Sequence, residues 1–149
     1  GYHPEMILAG RRLNDNMALY VAGEVARLMT SRRIHVKGAK VLVLGLTFKE
    51  NCPDIRNSKV VDVVRELEKF GAQVDVHDPW VDSREAKHEY GIKPVKAPKA
   101  RSYDAVVLAV SHQQFKDLGA AAVRRFGRKN AVVYDIKYLF KADQVDGRL

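Results

Sequence analysis

The sequence predicts an α/β fold, a three-layer sandwich with a mostly parallel sheet, preceded by a long N-terminal helix. Two observations carry this expectation. Continuous apolar runs, VLVLGL at 41–46 and DAVVLAV at 104–110, are the mark of strands buried on both faces. Between such runs lie segments whose apolar residues recur at spacings of three and four, so helices alternate with strands as in a parallel sheet covered on both sides.

The elements follow in order. Residues 5–33 read as one helix, with Ile7, Leu8, Leu13, Met17, Tyr20, Val21, Val25, Leu28 and Met29 forming a single apolar stripe. Gly10 and Gly23 lower its propensity and permit close helix approach. A helix so long and striped is expected to pack on another helix, from the same domain or from a second subunit. Gly38 ends the pattern. Residues 41–46 form the first strand. Residues 58–70 form a helix with Val60, Val61, Val64 and Leu67 inward, Ser58 capping its start and Gly71 at its C′ position. Residues 73–77 are the second strand, stopped by Asp78-Pro79, and 82–90 a short helix ended by Gly91. A minor strand is expected at 92–95, the third main strand at 104–110, a helix at 113–126 and a fourth strand at 131–134. The tail from Lys141 is expected to be loosely ordered.

At 149 residues, with 46% hydrophobic and 30% charged residues, the chain is long enough for one domain with a real core and has the composition of a soluble globular protein. No apolar run approaches the roughly 18 residues of a membrane span, and no membrane partner is expected. GYHPEMILAG does not read as a signal peptide and lacks an initiator methionine, so the chain is expected to be a piece of a longer protein. A single cysteine excludes an internal disulfide and fits a reducing, cytoplasmic setting. The net charge of +8 suggests anionic ligands, yet the basic residues stand in small groups with acids between them. That pattern favours a solvated surface over a nucleic-acid footprint.

In such sheets ligands sit beyond the carboxyl ends of the strands, here at 45–49, 77–79, 111–112 and 135–137. The first of these regions, GLTFKENCPDIRNS, has the strand–loop–helix form that holds phosphates, but neither G-x-G-x-x-G nor G-x-x-x-x-G-K-[ST] is present. A phosphate could instead be held by Lys49, Arg56 and the free N–H groups of the helix starting near Ser58. The alternative is that Lys49 is merely solvated and Arg56 pairs with Asp54 or Asp62. Cys52 lies near two cations but has no histidine close in sequence, and a bland loop cysteine is the preferred reading. His77 and His112 stand at strand ends, without metal-ligand spacing, where each contacts a nucleotide or simply caps a strand. Trp80 and Tyr90 read as packing residues.

These residues resemble a known family. GLTFKENCPDIRNS, followed by a helix and VDVHDP, is similar to the C-terminal UDP-binding domain of the UDP-glucose/GDP-mannose dehydrogenases, through Gly45, Phe48, Lys49, Asp54, Arg56, Ser58, Asp78 and Pro79. GYHPEMILAGRRLNDNM, KENCPD and AVSHQQF resemble the branch that oxidises UDP-N-acetylhexosamines in surface-polysaccharide synthesis. The resemblance implies that 1–36 is the C-terminal part of a central dimerisation helix and 37–149 a Rossmann-like UDP-sugar-binding domain. It implies a homodimer through that helix, and a separate N-terminal domain that binds NAD and is not in this chain. Phe48 and Lys49 would line the UDP-sugar site, and Arg56 would reach towards the NAD pyrophosphate. Where the family commonly has Asp-x-Arg to grip the substrate, this chain has Asp135-Ile136-Lys137, and a lysine supplies charge without the two-pronged fork of arginine. The family's catalytic cysteine has no counterpart here, since Cys52 lies outside its motif. The chain alone is therefore expected to be inactive within an NAD-linked oxidation of a sugar C6 alcohol to a carboxylate. Two other readings of the residues stay open: a dimerisation module with the α/β part as scaffold, and a basic nucleic-acid-binding domain.

Overall fold

The computed structural model describes the backbone of residues 4–149 and the side chains from residue 16 onward. The elements are α1 (Pro4–Ser31), β1 (Lys40–Leu44), α2 (Val60–Lys69), β2 (Gln73–His77), α3 (Ser83–Tyr90), β3 (Tyr103–Leu108), α4 (Gln113–Leu118), α5 (Ala120–Arg124), β4 (Gly127–Asp135), a 3-10 turn (Ala142–Gln144) and β5 (Gly147–Arg148). The five strands form one sheet in the order β2-β1-β3-β4-β5, and every pairing is parallel.

Strand periodicity then divides the apolar residues between two faces. Val41, Val43, Ala105, Val107, Val132 and Tyr134 join one buried cluster, together with residues of α1, α2 and α3. Leu42, Leu44, Val106, Leu108 and Val133 join the other, against Phe115 of α4 and Val123 of α5. Continuous apolar runs are thus the direct consequence of helices on both sides of the sheet. Each fully buried Leu or Val removed from water contributes about 1.5–3 kcal/mol.

α1 packs on α2 of the same chain: Ala18, Val21, Ala22, Val25 and Met29 are buried with Val60, Val61 and Val64. Tyr20, counted in the expected stripe, faces outward at 56% exposure beside Leu19 at 52%. The stripe positions Ile7, Leu8 and Leu13 lie outside the described side chains.

Several expectations need correction. The helix expected over 113–126 breaks at Gly119, whose φ of +86° and ψ of 158° no helix accommodates. β4 starts at Gly127, four residues earlier than its apolar run, because buried Gly127 already pairs with Tyr103; exposed residues 128–130 fall in the register shift before Ala105 pairs with Val132. Residues 92–95 form no strand; the segment is tied down by Val95 N–H donating to Val76 O at 2.8 Å and by His77 Nδ1 at 2.8 Å from Val95 O. Ser58 does not cap α2. Its hydroxyl donates to Leu46 O at 2.6 Å, and the N-cap is Lys59, with no side-chain cap bond. The tail is ordered rather than loose. Asp146 accepts from Val133 N–H at 2.8 Å, Arg32 Nη2 at 2.6 Å and Arg124 Nη1 at 3.1 Å, which seats β5 on β4. Arg148 covers the Tyr138 ring at 4.3 Å.

Candidate functional site

The chain runs from β1 outward to β2, then crosses back to β3 on the other side of β1. The connections therefore part between the carboxyl ends of β1 and β3, where parallel sheets open a crevice. Gly45 shapes it. At φ +106° it turns the chain out of β1, and a Cβ there would lie 2.6 Å from Val110 Cβ. This glycine serves the close approach of two strand ends.

The crevice is a cleft of ≈ 320 Å³. Its walls come from Thr47, Phe48 and Lys49 after β1, Lys59, Val60 and Val63 at the start of α2, residues 109–111 after β3, Ile136 and Lys137 after β4, and Met17 of α1. Folding thus brings Phe48, Lys49 and Lys137 to one place from positions almost ninety residues apart. Phe48 is 57% exposed, unusual for so large an apolar ring, and both lysines are exposed. The first turn of α2 has no side-chain cap, so its N–H groups and partial positive charge stay available to a ligand. Glu50 is the one carboxylate among the described lining residues. Three lysines (Lys49, Lys59 and Lys137), an open helix start and an apolar floor suit an anionic ligand that also carries a flat or apolar part.

Buried carboxylates set the backbone of this cleft. Asp78, 6% exposed, accepts on one oxygen from Leu46 N–H at 2.7 Å, Thr47 N–H at 3.1 Å and His112 Nε2 at 2.8 Å, and on the other from Trp80 N–H at 2.8 Å. Burial pushes its carboxyl pKa up, but the hydrogen bonds from His112, Leu46 and Trp80 outweigh that and hold it below the usual value. Asp135, fully buried, accepts from Lys137 N–H at 3.2 Å and Phe140 N–H at 3.0 Å, which fixes the turn presenting Lys137. Sequence reasoning used Asp78 and Asp135 only as motif markers and passed over Thr47 and Asn51. The available signal was a charged residue ending an apolar strand, which must find backbone donors when buried.

The other singled-out residues fall elsewhere. Arg56 is not among the cleft-lining residues; its side chain, 78% exposed, pairs with Asp54 at 3.1 Å and holds that carboxyl below its ordinary pKa. Cys52 is half-buried in the loop and also outside the cleft lining. His112 is buried with both ring nitrogens bonded, so it is not free to serve Cys52 as a base. His77 is tied to Val95 O, while Trp80, at 36% exposure, donates through Nε1 to Gln114 at 3.1 Å. Tyr90 donates its hydroxyl to Ile55 O, a packing role. Among the described residues, no group of three His, Cys, Asp or Glu side chains could hold a metal ion, and no helix is long and apolar enough to cross a membrane.

Known proteins share both sequence and fold. The chain is 58% identical over all 149 residues to a UDP-N-acetyl-D-glucosamine 6-dehydrogenase of Pseudomonas aeruginosa, and 54% identical to one of Salmonella typhi. It covers 35% of the length of each, so it spans about a third of these relatives. A UDP-glucose dehydrogenase structure from Pyrobaculum islandicum superposes with a TM-score of 0.72 at 29% identity, over 92% of this chain and 30% of that one. A UDP-D-ManNAc dehydrogenase structure from Pyrococcus horikoshii gives 0.74 at 23% identity, covering 95% of this chain and 32% of its own, a likeness of fold. Residues 42–142 match the UDP binding domain of the UDP-glucose/GDP-mannose dehydrogenase family, and the chain belongs to that family.

Proposed function

We propose that this chain is the UDP-sugar-holding portion of an NAD-dependent dehydrogenase that oxidises the C6 alcohol of a UDP-N-acetylhexosamine to a carboxylate, for surface-polysaccharide synthesis. The observation that carries the reading is the convergence of Phe48, Lys49 and Lys137 with the uncapped start of α2 in one cleft. Phe48 offers a face for the planar or apolar part of the substrate. Lys49, Lys137 and the α2 N–H groups offer positive charge to the diphosphate. The relatives named for UDP-N-acetyl-D-glucosamine oxidation support the sugar class.

Among the described residues, one contact to NAD fits. There is no glycine-rich dinucleotide loop, and Arg56 is a single exposed guanidinium, paired with an aspartate that is itself 34% exposed. An ion pair so open to solvent exchanges readily for a phosphate. NAD, where bound by the longer protein, would supply the hydride acceptor; in this reading Arg56, outside the cleft itself, reaches towards its pyrophosphate on the separate NAD-binding domain. The longer protein also supplies the reacting cysteine, and we place it in the cytoplasm, in keeping with the single unpaired cysteine here. The outward-facing Leu19 and Tyr20 on α1 support a homodimer through that helix. Sedimentation of the full-length protein tests the dimer: Leu19→Glu should shift it to monomer, and an unchanged dimer removes α1 as the interface.

Calorimetry with UDP tests the site. Lys49→Ala should weaken UDP binding to the full-length protein by about tenfold, the loss of one charge-assisted contact. Unchanged binding, together with unchanged kinetics towards the UDP-sugar, would remove Lys49 from the site.

A further inference from the structure

His112 is a buried polar side chain that does not line the cleft. It is fully buried, against Phe115 at 5.5 Å and Trp80 at 6.2 Å between ring centroids. Its two nitrogens have different partners. Nδ1 receives the Asn51 N–H at 2.9 Å, so it carries no proton. Nε2 therefore bears the proton and donates to Asp78 Oδ2 at 2.8 Å, with Thr47 Oγ1 at 3.1 Å. The Thr47 hydroxyl spends its own proton on Lys49 O, at 2.9 Å. The Asn51 side chain returns the link by accepting from Gln113 N–H at 2.9 Å, the first residue of α4.

Residues 47–51 are thus pinned on both sides of Phe48 and Lys49. Thr47 and Lys49 O are held on one side, and Asn51, at φ +54°, on the other. The ring connects the ends of three strands: β1 through the loop, β2 through Asp78, and β3 through its own position. Resting on the nucleotide reading above, we propose that His112 is a positioning residue of that site: its ring, strung between the Asp78 carboxylate and the Asn51 N–H, holds the loop so that Phe48 and Lys49 face the cleft. The neutral ring is required, because a second proton on Nδ1 would set donor against donor at Asn51.

The two bonds can be removed separately. Asparagine places an amide oxygen where Nδ1 stood and keeps the acceptor for Asn51; glutamine places an amide NH₂ where Nε2 stood and keeps only the donor to Asp78. In the full-length protein, His112→Gln should weaken UDP binding by about tenfold and His112→Asn by no more than about threefold, although both lower the melting temperature similarly. In the intact protein, long-range proton–nitrogen NMR should show the Nε2-protonated tautomer, and the Asn51 amide should exchange more slowly than that of Glu50. Equal UDP affinities for the two variants overturn the proposal, as does an Nδ1-protonated ring or a freely exchanging Asn51 amide. If neither variant folds, the NMR and exchange measurements decide. An intact protein that binds no UDP overturns the nucleotide reading itself, whereas UDP binding unchanged by His112→Gln overturns the positioning role alone.

Discussion

A single oxygen of Asp78 receives three donors in a site nearly closed to water, and that arrangement has a pH signature. The folded pKa is held below the ordinary aspartate value by these bonds, despite the upward push of burial. A depressed carboxyl stabilises the fold fully above the unfolded value, near pH 4, and loses that contribution as pH falls through the lower folded value. Asp78→Asn should therefore cost about 2 kcal/mol in urea unfolding at pH 7, with the gap to wild type narrowing below about pH 4. A gap independent of pH would mean that the amide fails by shape rather than by charge. Lys137 makes a second residue-level case. The resemblance drawn from the sequence implies an arginine at its place, and its backbone is already fixed by Asp135. Lys137→Arg should tighten UDP binding by about threefold through a bidentate contact, read by calorimetry. Weaker binding would mean that the cleft is shaped for the narrower ammonium group.

Two glycines distinguish packing from conformation in the joints between elements. Gly45, between β1 and its loop, has both a left-handed φ and no room, with Val110 Cβ 2.6 Å from a built Cβ. Gly119, between α4 and α5, has the left-handed φ but nothing within 4 Å. Gly45→Ala should therefore destabilise by about 3 kcal/mol or more, and Gly119→Ala by only about 1 kcal/mol, in denaturant unfolding. Equal costs would show that the β1–β3 approach relaxes freely, and the cleft mouth with it. The helix break at Gly119 escaped the sequence reading because QQFKDLGAAAVRRF keeps its apolar residues in helical phase across the glycine. Periodicity reports which face is buried, not whether the chain is continuous between turns.

Across the whole molecule, Asp146 ties the C-terminal segment to Arg32, just past the end of α1, and to α5 through Arg124. Asp146→Ala should free β5, lower stability by about 1–2 kcal/mol and speed amide exchange at Gly147 and Arg148. Unaltered exchange there would leave the strand pairing itself as the anchor. Nothing in KADQVDGRL announces this order, because one aspartate meeting two distant arginines has no local pattern. The main strands and helices, the parallel sheet and a cleft at the strand ends could be read from the chain. Apolar period, turn residues and alternation are properties of neighbours in sequence, and a parallel sheet places its crevice by rule. Which residues share that crevice was another matter. Only the fold brings Lys137 beside Phe48 and Lys49 while leaving Arg56 on an exposed ion pair. It also converts His112, a strand-end histidine open to ligand contact by sequence, into a buried brace between Asp78 and Asn51. Such outcomes depend on strand order and on which buried polar atoms must satisfy one another, and both are settled by contacts between residues far apart in the chain.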